Sequence, residues 1–437
     1  MSTRDLFTDE YRLFEELCTT HGLKAGFRDV RKNKGSAGVD GVTIEEFESR
    51  LDEELARLRE ELLSWSYRAQ PVRGVEIPKP GGKGTRKLGV PTVRDRVVQA
   101  TLKRLLEPIL EPLFSPHSYG FRPGRSQQQA VEAARQIVAG GKSQVVDLDL
   151  SKFFDRIHHD RLIARLGRTI PDKRILRLIG LTLRSGTMAD GLVSPSMEGA
   201  VQGSPLSPLL SNVVLDELDK ELERRGLEFC RYADDCNIFV RTSKAAERVM
   251  GSISGYIEKQ LKLVVNRDKS QTAPSERVKF LGMTVVGKHV AISRKALQGA
   301  MAKVKELTPR GTHQTMEATM EEINRWYTGW ASYFRMTHYP AQLRKIEAHI
   351  RRRLRSRLVS QQKNRRNLFR KLVKRGVPRR QAATAAYSHH GRWRLSNARA
   401  LTKAYPNAWF IRVVGQAICS NRDLAHWHDV NQWIRLA

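Results

Sequence analysis

The sequence predicts an α+β protein, and three observations carry that prediction. Strand, helix, strand and hairpin patterns alternate between residues 143 and 286, where short β-type runs bracket turn residues. From about Ala291 onward the pattern turns helical. The 437 residues are 40% hydrophobic, enough for about two to four cores, and hold no apolar run of ~20 residues, so no membrane span is expected.

The elements follow from the punctuation. An acidic helical stretch, Glu45 to Leu63, leads into strands around Val72 to Ile77 and Leu88 to Pro91, then a helix from Val93 to Leu110. Between those strands, Lys79-Pro80-Gly81-Gly82-Lys83-Gly84-Thr85-Arg86-Lys87 reads as a glycine-rich hairpin tip with cations at both bases; composition alone describes a plain solvated hairpin equally well. Val145 to Leu150 alternates, setting Val145, Asp147 and Asp149 on one face of a strand and Val146, Leu148 and Leu150 on the other. Gln202 to Pro208 (QGSPLSP) places two prolines and a glycine ahead of the apolar run Leu209 to Leu215, a rigid loop feeding a helix.

Phe229-Cys230-Arg231 and Ile238-Phe239-Val240 flank Tyr232-Ala233-Asp234-Asp235, which predicts two short strands joined by a tight turn with both acids at its tip. Carboxylates that close repel, so cations stabilise the pair. Taken alone, the same residues also describe an ordinary acidic turn. Ala246, Val249, Met250, Ile253, Ile257 and Leu261 mark an amphipathic helix behind this hairpin. Farther on, Ile350, Leu354 and Leu358 lie four apart, so a helix buries that stripe while Arg351, Arg352, Arg353, Arg355 and Arg357 radiate outward as nucleic-acid-binding side chains.

Charge points to the partner. Seventy-seven Lys plus Arg against forty-six Asp plus Glu give a formal charge of +31, far beyond what solubility requires. A polyanion is the economical partner. Sixteen of the cations fall between Arg344 and Arg380, a stretch whose one acid is Glu347. The four cysteines, Cys18, Cys230, Cys236 and Cys419, form no C-x-x-C pair, which argues against a disulfide framework; Cys230 and Cys236 read as small buried apolar residues. Met1 to Asp5 lacks the basic-then-apolar layout of a secretion signal, so the cytoplasm is expected.

The ordered set Asp149 to Asp155 (DLSKFFD), Gln202 to Pro208, Tyr232 to Asp235 (YADD), Lys269-Ser270 after Asn266, and Phe280-Leu281-Gly282 resembles the successive motifs of a reverse transcriptase. Upstream, Asn33 to Thr43 (NKGSAGVDGVT), Ile77 to Thr92 (IPKPGGKGTRKLGVPT) and His117 to Ser126 (HSYGFRPGRS) resemble motifs of bacterial group II intron reverse transcriptases, or maturases. The resemblance implies a right-hand polymerase with an N-terminal extension over 1–66, fingers and palm with an antiparallel sheet over 67–290, a helical thumb (domain X) over 291–362 and a small basic nucleic-acid-binding domain over 363–437. It implies an RNA-directed DNA polymerase that uses two Mg²⁺ ions, with Mn²⁺ as a substitute, on an RNA template with a DNA primer and deoxynucleoside triphosphates. Intron or other structured RNA is the further partner. Two alternatives stay open: a protein that mainly binds RNA as a splicing cofactor, and a stand-alone host enzyme in DNA repair or phage defence.

Site residues carry over by motif. The catalytic carboxylates fall on Asp149, Asp234 and Asp235, with Leu150 among the metal-holding positions. In the family pattern the first Asp lies five residues before an aromatic, which Asp149 to Phe154 satisfies and Asp147 does not. Phe154 would pack under the sugar of the incoming nucleotide and exclude a 2′-hydroxyl. Gln202 would lie against that nucleotide, Lys79, Arg86 and Lys87 along its triphosphate, and Lys269 near the reacting phosphates. Cys419, His426 and His428 lack the paired thiols of the endonuclease that some relatives append, so priming on an existing DNA end or nascent strand is expected.

Overall fold

Two units divide the chain, Met1–Val278 and Lys279–Ala437, and each is described by itself. The structure, a computed structural model, describes residues 12–78, 84–189, 192–194, 198–309, 311–362 and 364–410.

In the first unit, local signals start the helices. Thr19 caps the helix Thr20–Asn33 by accepting from the Gly22 amide at 2.9 Å, and Thr92 caps Val93–Leu110 by accepting from the Asp95 amide at 3.1 Å. These helices meet so closely that a Cβ on Gly26 would lie 2.1 Å from Thr101 Oγ1. The expected acidic helix forms as two pieces, Ile44–Ser49 and Leu51–Leu63, because Arg50 leaves helical dihedrals (φ −121°, ψ 27°). Strands β1 (Val72–Pro78) and β2 (Thr85–Val90) pair antiparallel. Strand β3 (Gln144–Leu148) belongs to a second sheet, whereas the short β4 (Thr187–Ala189) and β5 (Leu192–Ser194) extend the first into the order β2-β1-β4-β5.

The second sheet carries the site. With β6 (Glu228–Tyr232), β7 (Asp235–Val240) and β8 (Gln271–Pro274) it runs β6-β7-β3-β8, every pair antiparallel. Val146, Leu148, Cys236, Ile238 and Val240 face a core shared with the helices Ser207–Arg224 and Ser243–Tyr256, which contribute Leu209, Leu210, Ala246 and Ile253. Period-2 alternation leaves Asp147 and Asp149 on the opposite, partly exposed face.

The second unit begins with a hairpin of β9 (Met283–Val286) and β10 (His289–Ile292). Although the sequence groups these strands with the palm, they are tied to the helices that follow. The Ile292 amide donates to Gln342 Oε1 at 2.8 Å, and the His338 amide donates to the Val290 carbonyl at 2.8 Å. Residues on both sides of position 363 share one core: Ile323, Tyr327, Ile350 and Leu354 pack in the same cluster as Leu372, Ala382, Leu401 and Phe410. No helix among the described residues is long and apolar enough to cross a membrane.

Candidate active site and nucleic-acid interface

The turn between β6 and β7 has two residues. Tyr232 pairs with Asp235, leaving Ala233 and Asp234 at the tip, and Ala233 takes a φ of 57°, a left-handed conformation that side chains rarely adopt. On the neighbouring strand Leu148 pairs with Cys236, so the next step of the same register sets Asp149 opposite Asp235. Register alone thus gathers Asp149, Asp234 and Asp235 at one end of the sheet. Both turn acids are partly exposed. Asp147 lies two pairs deeper than Asp149, opposite Asn237, and accepts from Gln271 Nε2 at 3.2 Å.

A later segment fixes the other side of Asp149. The Asn266 amide donates to the Asp149 carbonyl at 2.8 Å, the Asp149 amide donates to Ser270 Oγ at 3.0 Å, and Leu150 bridges Val265. This lacing brings Lys269 Nζ to 3.5 Å from Asp149 Oδ2. Among the described residues no three His, Cys, Asp or Glu side chains close into a metal-holding group. Hard carboxylate oxygens nevertheless fit a divalent ion that keeps its waters and takes substrate phosphates, the mode Mg²⁺ favours over an all-protein cage.

The residues expected beside the nucleotide are linked in part through backbone bonds. The Ala200 amide donates to the Phe154 carbonyl at 2.7 Å and the Gly89 amide donates to the Gln202 carbonyl at 2.8 Å, which links Phe154, the Gln202 loop and β2. Glycine is required at 203, where φ is 114° and a Cβ would lie 2.6 Å from the Gly89 carbonyl oxygen. Lys87 is exposed on β2, two residues before Gly89. Arg86 pairs through its backbone with Ile77, its side chain lying outside what is described, and Lys79 lies outside the described residues. Cys419, His426 and His428 lie outside them as well.

The basic helix forms over Ala341–Ser360 with Ile350, Leu354 and Leu358 buried as its spacing predicts, but the outward arginines need correction. Arg351, Arg355 and Arg357 are buried. Arg355 Nε donates to the Tyr405 carbonyl at 3.0 Å, Arg357 donates to Thr319 Oγ1 and the Gln314 carbonyl, and Arg351 lies beside the buried Glu347. Burial pulls the Arg355 guanidinium down to about 10, with Arg351 adding to the effect. The physical reason is that the helix is covered on two sides, by residues near 314–319 and by residues 405–407. Arg352 and Arg353 remain partly exposed, Arg352 lying 4.0 Å from the centre of the exposed Trp393 ring.

Sequence reasoning missed the support behind the turn. Arg231 and Asp219 are an ion pair in which both side chains are wholly buried. The signal was an arginine inside an apolar strand run, directly ahead of the acids.

Comparison with known proteins now decides the family. The reverse transcriptase (RNA-dependent DNA polymerase) family matches residues 77–285, and the group II intron, maturase-specific domain matches residues 297–376. The protein YkfC of Escherichia coli is 36% identical over 300 residues, covering 60% of this chain and 78% of that protein. The chain belongs to the group II intron reverse transcriptase and maturase family. Within this family it is similar to the group II intron-encoded protein LtrA of Lactococcus lactis subsp. cremoris, 32% identical over 220 residues, and to the putative COX1/OXI3 intron 1 protein of Saccharomyces cerevisiae, 37% identical over 193 residues. Those matches cover 50% and 44% of this chain, and 36% and 23% of the two relatives. Residues 77–285 are thus an RNA-directed DNA polymerase domain of the right-hand class, followed by a maturase domain, and membership implies divalent-metal dependence and RNA partners.

Proposed function

We propose that this chain extends a DNA primer on an RNA template, joining the primer 3′-hydroxyl to the α-phosphate of a deoxynucleoside triphosphate, and that it also binds intron RNA to assist splicing. The observation that carries the reading is the β3/β7 register, which sets Asp149 beside the Asp234-Asp235 turn with Lys269 on its carboxylate. When bound, two Mg²⁺ ions, or Mn²⁺ in their place, would supply activation of the 3′-hydroxyl and neutralisation of the leaving pyrophosphate. Asp149, Asp234 and Asp235 would hold these ions, with the Leu150 carbonyl as a further oxygen. Phe154 lies under the sugar, Gln202 orients the nucleotide, and Lys79, Arg86 and Lys87 neutralise the triphosphate. Lys269 is placed to give a proton to the departing pyrophosphate. Arg352 and Arg353 are the arginines of the basic helix offered to RNA; the buried Arg351, Arg355 and Arg357 support the helix instead.

Asp234→Ala should abolish primer extension while RNA binding survives. Retained synthesis by a folded variant would remove that residue from the mechanism. The maturase match over 297–376 supports the splicing activity. Splicing of a cognate intron at low Mg²⁺, with and without protein, tests it, and no acceleration counts against it.

A further inference from the structure

We infer that Arg231, Asp219 and Asn212 form a buried polar clamp that sets the backbone of the catalytic turn, which makes Arg231 a positioning residue for Asp234 and Asp235. The inference rests on the reading of those acids given above and adds residues that touch neither substrate nor metal.

The guanidinium of Arg231 is fully enclosed, yet its bonds converge on the turn and on the helix beneath it. Nε donates to Asp219 Oδ1 at 2.7 Å and Nη2 to Asp219 Oδ2 at 2.5 Å, a bidentate pair. Nη1 donates to Asn212 Oδ1 at 3.1 Å and to the Ala233 carbonyl at 2.9 Å. That carbonyl belongs to the residue with the left-handed φ, the conformation an alanine turn adopts least willingly. A buried charge therefore holds the one strained peptide of the turn, immediately before Asp234.

A second layer closes over the same residues. The Asn212 side-chain amide donates to the Gly120 carbonyl at 2.8 Å, and a Cβ on Gly120 would lie 2.2 Å from the Ala233 nitrogen, so the 117–120 segment lies directly against the turn. The Tyr119 amide donates to the Arg231 carbonyl at 2.8 Å and the Arg231 amide to the His117 carbonyl at 2.9 Å, pairing the outer edge of β6. Asn212 and Asp219 both stand on the helix Ser207–Arg224, which begins five residues after Gln202. One rigid helix thus connects the nucleotide-side loop to the metal-side turn, and Arg231 is the joint.

A merely structural ion pair makes a different prediction. Removing one partner strands a buried charge, so single deletions report folding; replacing both by apolar side chains of similar volume is often tolerated. The test compares the Arg231→Met/Asp219→Leu double variant, the milder Asn212→Ala and Arg231→Lys, and wild type, reading thermal stability, RNA binding and the Mg²⁺ dependence of single-nucleotide extension. Folded variants should bind RNA as wild type does, while half-saturating Mg²⁺ rises tenfold or more and Mn²⁺ restores part of the rate. A folded variant with the wild-type Mg²⁺ curve overturns the inference. Asp234→Ala is run alongside: full extension by that variant overturns the assignment of the acids instead.

Discussion

Asp149 and Asp147 lie two positions apart in the chain, Asp149 at the turn end of the sheet and Asp147 two pairs deeper. The sequence separates them by the family spacing to Phe154, which singles out Asp149, and the register sets that residue opposite Asp235. Arg231 is not legible as a support, since its partners lie 12 residues ahead in Asp219 and at His117 to Gly120, and nothing local states that they meet. Phe154 gives the first prediction at this scale. If its ring excludes the 2′-hydroxyl, Phe154→Ala should lower the preference for deoxy- over ribonucleotides by roughly tenfold or more. Single-nucleotide insertion with each triphosphate measures the ratio, and an unchanged ratio removes Phe154 from sugar selection. The cysteines give the second. Burial pushes the Cys230 thiol up to about 12 and the Cys18 thiol up to about 11 from the ordinary 9.0. Both folded pKa values exceed the unfolded one, so the stabilisation is complete below about pH 9 and declines as pH rises, because the unfolded chain releases protons that the native state retains. Melting temperature should therefore fall between about pH 9 and 11, and fall less in Cys230→Ala; equal slopes would exclude the thiol as a contributor.

At the scale of elements, the helix Ala341–Ser360 shows where sequence patterning stops. Its apolar stripe at four-residue spacing is readable because burial of one face depends on the helix alone. The orientation of its arginines is not readable, because it depends on what the remaining surface meets, and here residues 405–407 arrive from fifty positions away. The consequence separates two groups of arginines. Arg355→Ala leaves the Tyr405 carbonyl without its donor and opens a gap, costing roughly 1–3 kcal/mol of stability. Arg352→Ala should weaken RNA binding with little change in melting temperature, whereas Arg353→Ala, which also strips the buried Thr308 of its donor, should lower both. Calorimetry paired with filter binding on the same variants distinguishes the groups; a destabilised, RNA-competent Arg352→Ala would reverse the assignment.

At the scale of the whole molecule, the surplus of +31 sets how binding responds to its medium. Counterion release predicts that RNA affinity falls by roughly 10³–10⁵ between about 50 and 200 mM salt if roughly 6–10 phosphates are contacted. A slope near zero in a log–log titration would show that the charge is not engaged. Composition made this legible, and the ordered motifs made the reverse transcriptase and maturase domains legible. Long-range lacing was not. The Asp149 amide reaches Ser270 across 121 positions, and Arg231 lies between the two in the chain. During synthesis on the ribosome, then, all three acids emerge before the strap that anchors the first of them exists. A nascent chain holding the whole YADD hairpin is still an unfinished catalyst, and competence arrives late and abruptly, once residues 264–270 are free to dock.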